Sequence, residues 1–112
     1  MISVEEARAF ALSLPEAQES SHFDQPDFRL RNRIFVTLPG DGRAWIKVRR
    51  IDMEAIEQSD PVTFEGKAWG ASSWLGVDLA RVDAEEFREL VTEAWRSIAP
   101  KKLIAAFDAG PA

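Results

Sequence analysis

The chain has 112 residues, of which 46% are hydrophobic and 29% charged, and its net charge is −5. This length predicts a single domain over residues 1–112 with a core that needs neither disulfides nor metal. The lack of cysteine excludes thiol catalysis, thiolate zinc sites and iron–sulfur clusters. No stretch resembles a signal peptide or approaches the ~20 apolar residues of a membrane span. We therefore expect a cytoplasmic protein with no membrane partner.

Helices are predicted towards both ends of the chain and once in its middle. Ser3 and Glu6 form an S-x-x-E capping box ahead of an apolar stripe, and Asp83 is the predicted cap of the longest helix, AEEFRELVTEAWRSIA. Asp52 is predicted to cap a short helix in MEAIEQS. Pro100 suits the first turn of a terminal helical piece, KKLIAAF, which is followed by a tail, DAGPA, that we expect to be frayed.

The stretch from Phe28 to Arg50 is typical of three short antiparallel strands with turns at Asn32-Arg33 and at PGDG. In the second strand, alternation predicts that Phe35 lies on the outer face. The polar run before this meander is interpreted as extended chain. A short strand plus a loop is predicted in VTFEGKAWGAS, and another strand in SWLGVDLARV. These adjacent strands predict an α+β fold with two layers, an antiparallel sheet with helices packed on one face.

Charge is distributed unevenly along the chain. The stretch from Phe28 to Arg50 holds seven of the fourteen basic residues against one acid, a local charge of +6, whereas the rest of the chain carries −11. An acidic protein has thus gathered half of its cations on one small meander. The asymmetry indicates a binding surface, since only the face that docks a polyanion must be positive.

Signatures of catalysis are lacking in the sequence. His22 is the single histidine, so a histidine-rich metal site cannot form, and we interpret it as a hydrogen-bonded strand residue. The glycines match neither G-x-G-x-x-G nor the phosphate-binding loop, and no G-x-S-x-G elbow is present. We therefore expect a protein that is not an enzyme and has no catalytic residue, cofactor or metal.

Strand alternation places the cations of the meander on one side of the sheet. Arg29 and Arg31 share a side of the first strand, and residues 45, 47 and 49 share a side of the third. A positive surface with aromatic side chains can follow a phosphate backbone and stack on bases. We predict about four to six phosphate contacts and a log–log salt slope of about −4 to −5 on duplex DNA. The predicted nucleic-acid-binding residues are Arg29, Arg31, Arg33, Arg43, Trp45, Lys47, Arg49, Arg50, Lys67 and Trp74.

Three other interpretations stay open. The arginines can simply cover an exposed sheet face and pair with Asp and Glu across it. The same face, with its tryptophans, can dock a protein, in a chain that is a monomer or a weak homodimer. A small-molecule pocket between sheet and helices is the third, and a concave cavity with convergent polar groups would distinguish it.

Several short motifs occur in an order that is similar to a known family. They are Leu14-Pro15, His22-Phe23, Pro26, Phe28-Arg29, Ile34-Phe35, Trp74, Val77, Leu79 and Ala99-Pro100-Lys101-Lys102-Leu103. Over nearly the whole chain this pattern resembles the MmcQ/YjbR family. The resemblance implies a small α+β domain with an antiparallel sheet, like the secretion-chaperone-like and frataxin (CyaY)-like folds. It also implies DNA binding through a double-wing arrangement.

Overall fold

One antiparallel sheet and the helices beside it make up the computed structural model, which describes residues 1–110. The elements are α1 (Val4–Ser13), β1 (Ala17–His22), β2 (Gln25–Leu30), β3 (Arg33–Thr37), β4 (Arg43–Lys47), α2 (Arg50–Ser59), β5 (Phe64–Trp69), β6 (Ser72–Asp78), α3 (Ala84–Ile98) and α4 (Lys101–Ala109).

The six strands are ordered β1-β2-β3-β4-β6-β5, and each neighbouring pair is antiparallel. Helix α2 links β4 to the β5–β6 hairpin, whose second strand pairs with β4. The α+β class is confirmed, and so is the meander, which forms β2, β3 and β4. Strand β1 was expected only as extended chain, because its sequence, AQESSH, has no apolar alternation.

Both of the first two hairpins turn through two residues with positive φ. Phe23 and Asp24 have φ of 48° and 62°, and Arg31 and Asn32 have φ of 50° and 66°. Two such residues in succession match the right-handed twist of the flanking strands. The second turn was predicted one residue later, at Asn32-Arg33.

A β-bulge at Phe35 changes which side chains face the core. Phe28 lies opposite Val36 and Arg29 opposite Ile34, so Phe35 has no partner on β2. Its side chain is fully buried in the hydrophobic core. The prediction of an outward Phe35 was wrong, since an extra residue in one strand breaks the alternation of faces.

The helices begin as predicted in two cases and differ in the third. Glu6 donates its backbone N–H to Ser3 Oγ and accepts from Ser3 N–H, and Asp83 accepts from the first turn of α3. For α2 the predicted cap was wrong. The backbone of Arg49 accepts from Met53 N–H, which makes Arg49 the N-cap and places Asp52 inside the first turn.

The helices lie against one face of the sheet, which we call the helix face. Arg8 of α1 pairs at 2.7 Å with Glu19, which lies on the side of Phe28. Met53 of α2 packs over Gly66, and α3 packs over β3 and β4. The fully buried Trp95 of α3 donates its indole N–H to the carbonyl of residue 15 at 3.0 Å.

The C-terminal helix is longer than predicted. It continues to Ala109, and Asp108 pairs with Arg96 of α3, so this part of the predicted frayed tail is ordered. Pro111 and Ala112 lie outside the described residues. Over residues 1–110, no helix combines the length and the apolar character that crossing a bilayer requires.

Candidate functional site

The face of the sheet opposite the helices, which we call the open face, carries three of the four tryptophans and part of the predicted basic set. Its central row runs across all six strands, as the register shows. Its members are Ser20, Asp27, Thr37, Trp45, Gly76 and Glu65. The next row, towards one end of the sheet, is Lys47, Trp74 and Lys67.

Five residues on β4, β5 and β6 form what we call the tryptophan–lysine cluster: Trp45, Lys47, Lys67, Trp69 and Trp74. Lys47 Nζ lies 5.6 Å from the ring centroid of Trp74, and Lys67 Nζ lies 4.9 Å from that of Trp45. These distances are typical of cation–π contacts. Among residues 1–110 neither lysine forms an ion pair with a carboxylate.

The position of Trp45 depends on a glycine in the neighbouring strand. A Cβ at Gly76 would lie 2.7 Å from Trp45 Cη2, closer than van der Waals contact allows. The indole therefore lies directly over the backbone of β6. A glycine inside a strand often marks such a close approach. Trp45 and Trp74 are half-buried, whereas Trp69, near the end of edge strand β5, is 69% exposed.

Two strands away from Trp45, about 10 Å at typical strand spacing, a buried carboxylate organises what we call the hairpin network. Asp27 is fully buried and receives two hydrogen bonds from Arg29, 2.8 Å from Nε and 3.0 Å from a terminal nitrogen. His22 Nδ1 lies 2.8 Å from Oδ2 of the same carboxylate and donates to it. Arg29 also donates to Asn32 and to the carbonyl of Ser21.

The charges of the hairpin network stabilise one another. Burial alone would raise the pKa of Asp27, but the hydrogen bonds from Arg29 and His22 outweigh it and hold the pKa below its ordinary value. The same pairing raises the pKa of Arg29. The interpretation of His22 as a hydrogen-bonded strand residue is confirmed. Arg29 lies on the open face as predicted, yet each of its three guanidinium nitrogens donates a hydrogen bond within the fold.

The other predicted arginines do not form one patch with Arg29. Arg31 lies in the β2–β3 turn, because β2 ends at Leu30, and its Nε is 3.1 Å from Glu16. Arg43 does lie on the open face, 3.3 Å from Glu65. The prediction that Arg29 and Arg31 share a strand side was therefore wrong.

The remaining predicted cations lie away from the open face or at its margin. Arg49 follows the end of β4, caps α2 and pairs with Asp52 at 2.8 Å, so the expectation that it continues the side of Lys47 was also wrong. Arg50 is the first residue of α2, and Arg33 is exposed at the start of β3. Of the predicted set, the structure brings together Trp45, Lys47, Lys67 and Trp74, with Arg43 beside them.

Sequence reasoning left Trp69 out of the predicted binding residues. The signal was present, because Lys67 and Trp69 alternate within one strand and Trp69 lies opposite Ser72 of the hairpin. Potential metal ligands do not gather here: across the described chain, no three His, Asp or Glu side chains are placed to hold a metal ion.

Comparison with known proteins identifies the family. A YjbR family model matches residues 12–97. The chain belongs to the YjbR family. A solved structure, the Deinococcus radiodurans protein DR2400 with a DUF419 domain, superposes with a TM-score of 0.77 at 23% identity. The superposition covers 91% of this chain and 82% of that protein. A search of curated proteins finds no match.

The structure gives a role to several residues in the His22–Phe35 segment, which carries part of the family resemblance. The segment of this YjbR chain from His22 to Phe35 runs from the last residue of β1 through β2 into β3, and three of its members, His22, Phe28 and Arg29, belong to the hairpin network or the core. These residues stabilise the sheet. The tryptophan–lysine cluster lies outside this segment, on other strands of the same sheet.

Proposed function

We propose that this YjbR-family protein binds single-stranded nucleic acid, without enzymatic activity, through the tryptophan–lysine cluster of its open face. The observation that carries the proposal is the placement of two ammonium groups over two indole rings on an uncovered sheet. Lys47 and Lys67 supply the charge, and Trp45, Trp69 and Trp74 supply the ring surfaces.

Stacking and charge would act together at this surface. An aromatic side chain that stacks on a base contributes about 1–3 kcal/mol, largely independent of base identity. A lysine that lies over a ring is already beside the base that would stack there. Its flexible stem lets the ammonium move from the ring to a neighbouring phosphate.

The charge of the face favours single strands over duplex DNA. Duplex binding depends mainly on phosphate neutralisation, and Arg29, Arg31, Arg43 and Arg49 each have a carboxylate partner. With Lys47 and Lys67 as the main phosphate contacts, the log–log salt slope on a single strand is about −1.4. This slope is much shallower than the slope expected from an unpaired arginine patch.

Fluorescence anisotropy with a labelled oligothymidylate, its matched duplex and a salt series tests the proposal. We expect binding at low salt, quenching of tryptophan emission and weaker binding to the duplex. The double variant Lys47→Gln/Lys67→Gln loses most of the affinity. Its matched control, Arg31→Gln/Arg49→Gln, removes two charges that lie off the cluster and binds like the wild type. Equal losses in both variants, or no binding by the wild type, overturn the proposal.

Protein docking is a second candidate for the same face, favoured by the exposure of Trp69. This indole is 69% exposed close to the end of an edge strand, and single large aromatics often anchor interfaces. Light scattering over a concentration series tests self-association. A dimer that Trp69→Ser abolishes, together with no effect of oligothymidylate, would assign the face to a second copy of the chain.

A further inference from the structure

A cleft of ≈ 750 Å³ opens on the helix face, between α2 and α3, where they pass over β4 and β6. Ile46 and Leu75 close its floor, and both are buried. The apolar surface of its walls comes from Val48, Ile56 and Leu90, which are each half-buried. The floor of the cleft lies on the opposite side of the sheet from the tryptophan–lysine cluster, of which Lys47 alone also borders the cleft.

Three guanidinium groups belong to the lining of this cleft, in a protein whose net charge is −5. Arg49 pairs with Asp52, and the nearby charge of Glu93 also helps to raise the pKa of Arg49. Arg96 pairs with Asp108 and Glu93. Arg50 is exposed and, within the described part of the chain, forms no ion pair. The carboxylates of Asp52 and Glu93 also line the cleft, so its apolar walls lie beside three guanidinium groups and two carboxylates, and the guanidinium of Arg50 is the one with no ion pair among residues 1–110.

We propose that this cleft binds a small amphipathic carboxylate, with an aromatic or short aliphatic body on the walls and the carboxylate at Arg50. The volume lies within the range of small-molecule sites, roughly 300–1,000 Å³. A guanidinium presents two parallel N–H donors that match the two oxygens of a carboxylate. The cleft also provides the concave shape with convergent polar groups that distinguishes a small-molecule pocket. The inference is independent of nucleic-acid binding, because Arg50 and the apolar walls that carry it are not members of the tryptophan–lysine cluster.

Amide chemical-shift titration of the full chain tests this assignment with naphthoate, and with naphthylmethanol as its neutral counterpart. We expect naphthoate to shift amides of α2 and α3 around residues 50, 56 and 90 and to leave residue 74 unchanged. We expect naphthylmethanol to bind the wild type roughly tenfold more weakly than naphthoate does, because it lacks the carboxylate. Naphthoate should bind Arg50→Gln more weakly by a similar factor, because this variant lacks the guanidinium. Arg33→Gln removes an exposed arginine outside the cleft and serves as the matched control.

A steric variant gives an independent check. Ala55 lines the cleft and is exposed, so Ala55→Phe fills the cavity without entering the core, and we expect it to abolish the shifts. Equal affinity for naphthoate and naphthylmethanol, shifts confined to the open face, or wild-type binding by Arg50→Gln overturns the proposal. If Ala55→Phe does not fold, as circular dichroism would show, the comparison of the two compounds decides.

Discussion

The two halves of the open face use their cations in opposite ways. In the hairpin network, Arg29 and His22 both donate to one buried carboxylate, Asp27. In the tryptophan–lysine cluster, Lys47 and Lys67 lie over indole rings. Basic residues in alternating strand positions are therefore tied to a carboxylate in one half, whereas Lys47 and Lys67 in the other have no ion pair among residues 1–110.

The neighbour on the same face of the sheet decides which outcome a cation has: Asp27 lies two positions from Arg29 on β2, whereas Trp74 lies opposite both Lys47 and Lys67 on adjacent strands. A carboxylate within reach fixes a guanidinium in a bidentate pair, and its burial makes the pair sensitive to the loss of either partner. A ring attracts an ammonium with a weaker and less directional force. The comparison predicts that substitutions in the hairpin network act mainly on stability, whereas those in the cluster act mainly on binding.

The largest expected effect comes from Asp27→Ala. We expect a loss of about 3 kcal/mol in the free energy of unfolding, the lower end of the range for a broken buried ion pair. The lower end applies because Arg29 and His22 each reach solvent in part. Urea denaturation measures it. The double variant Asp27→Leu/Arg29→Met replaces both partners by apolar groups and should lose less; a double variant as unstable as Asp27→Ala would contradict the ion-pair explanation.

The hairpin network also predicts a dependence on pH. The folded-state pKa of Asp27 is held below its ordinary value of 3.8. The stability it contributes is therefore complete above that ordinary value and is lost as the pH falls through the folded-state pKa. Urea midpoints of the wild type and Asp27→Asn should differ at neutral pH and begin to converge only below about pH 4. All other carboxylates are present in both proteins, so their titration cancels in the difference between the two urea midpoints. A difference that does not change with pH would show that ionised Asp27 is not the source of the stability.

A smaller loss is expected at the contact that positions Trp45. Gly76→Ala brings a Cβ into the indole, and overpacking of this kind destabilises by about 1–3 kcal/mol. Oligothymidylate binding should weaken as well, because Trp45 must move. Gly66→Ala is the matched control, since its Cβ would meet Met53 on the helix face at 2.6 Å. It should reduce stability but leave binding unchanged; equal loss of binding in both variants would break the link between Trp45 and the site.

Much of the fold could be predicted from local patterns. The capping box at Ser3, the cap at Asp83 and the alternation in β4 and β6 each depend on a few neighbouring residues, and each agrees with the structure. Strand β1 has no apolar period and is held by pairing with β2. The bulge at Phe35 likewise depends on how β3 is paired with β2, and the alternation of residues within one strand carries no information about that pairing.

The candidate site was predictable in composition and less so in geometry. Trp45, Lys47, Lys67 and Trp74 lie together as their strand positions imply. The pairing of arginines with distant carboxylates was the missing information. Arg31 with Glu16 and Arg43 with Glu65 are separated by 15 and 22 positions, so only the folded chain shows that these charges are satisfied.

A gain in stability is expected at the tip of the first hairpin. Phe23 is 94% exposed and adopts φ of 48°, a conformation that a bulky side chain disfavours. Asn is favoured in this type of turn, so Phe23→Asn should stabilise the protein by about 0.5–1 kcal/mol, measured as a rise in the urea midpoint. Phe23→Ala keeps the unfavourable φ and should show little gain. A similar gain in both variants would attribute the effect to exposure and exclude backbone strain as its cause.

The smallest effect on stability is expected where the proposed binding effect is greatest. Lys47→Gln and Lys67→Gln each remove a partly exposed cation–π contact, which is worth about 0.5–1 kcal/mol. No buried carboxylate is left without a partner, so the loss should stay near the lower value in urea denaturation. Arg29→Gln, which removes the two guanidinium hydrogen bonds to Asp27, should lose several times more. If a lysine variant were as unstable as Arg29→Gln, the cluster would be structural too, and its cations would no longer be available for a phosphate.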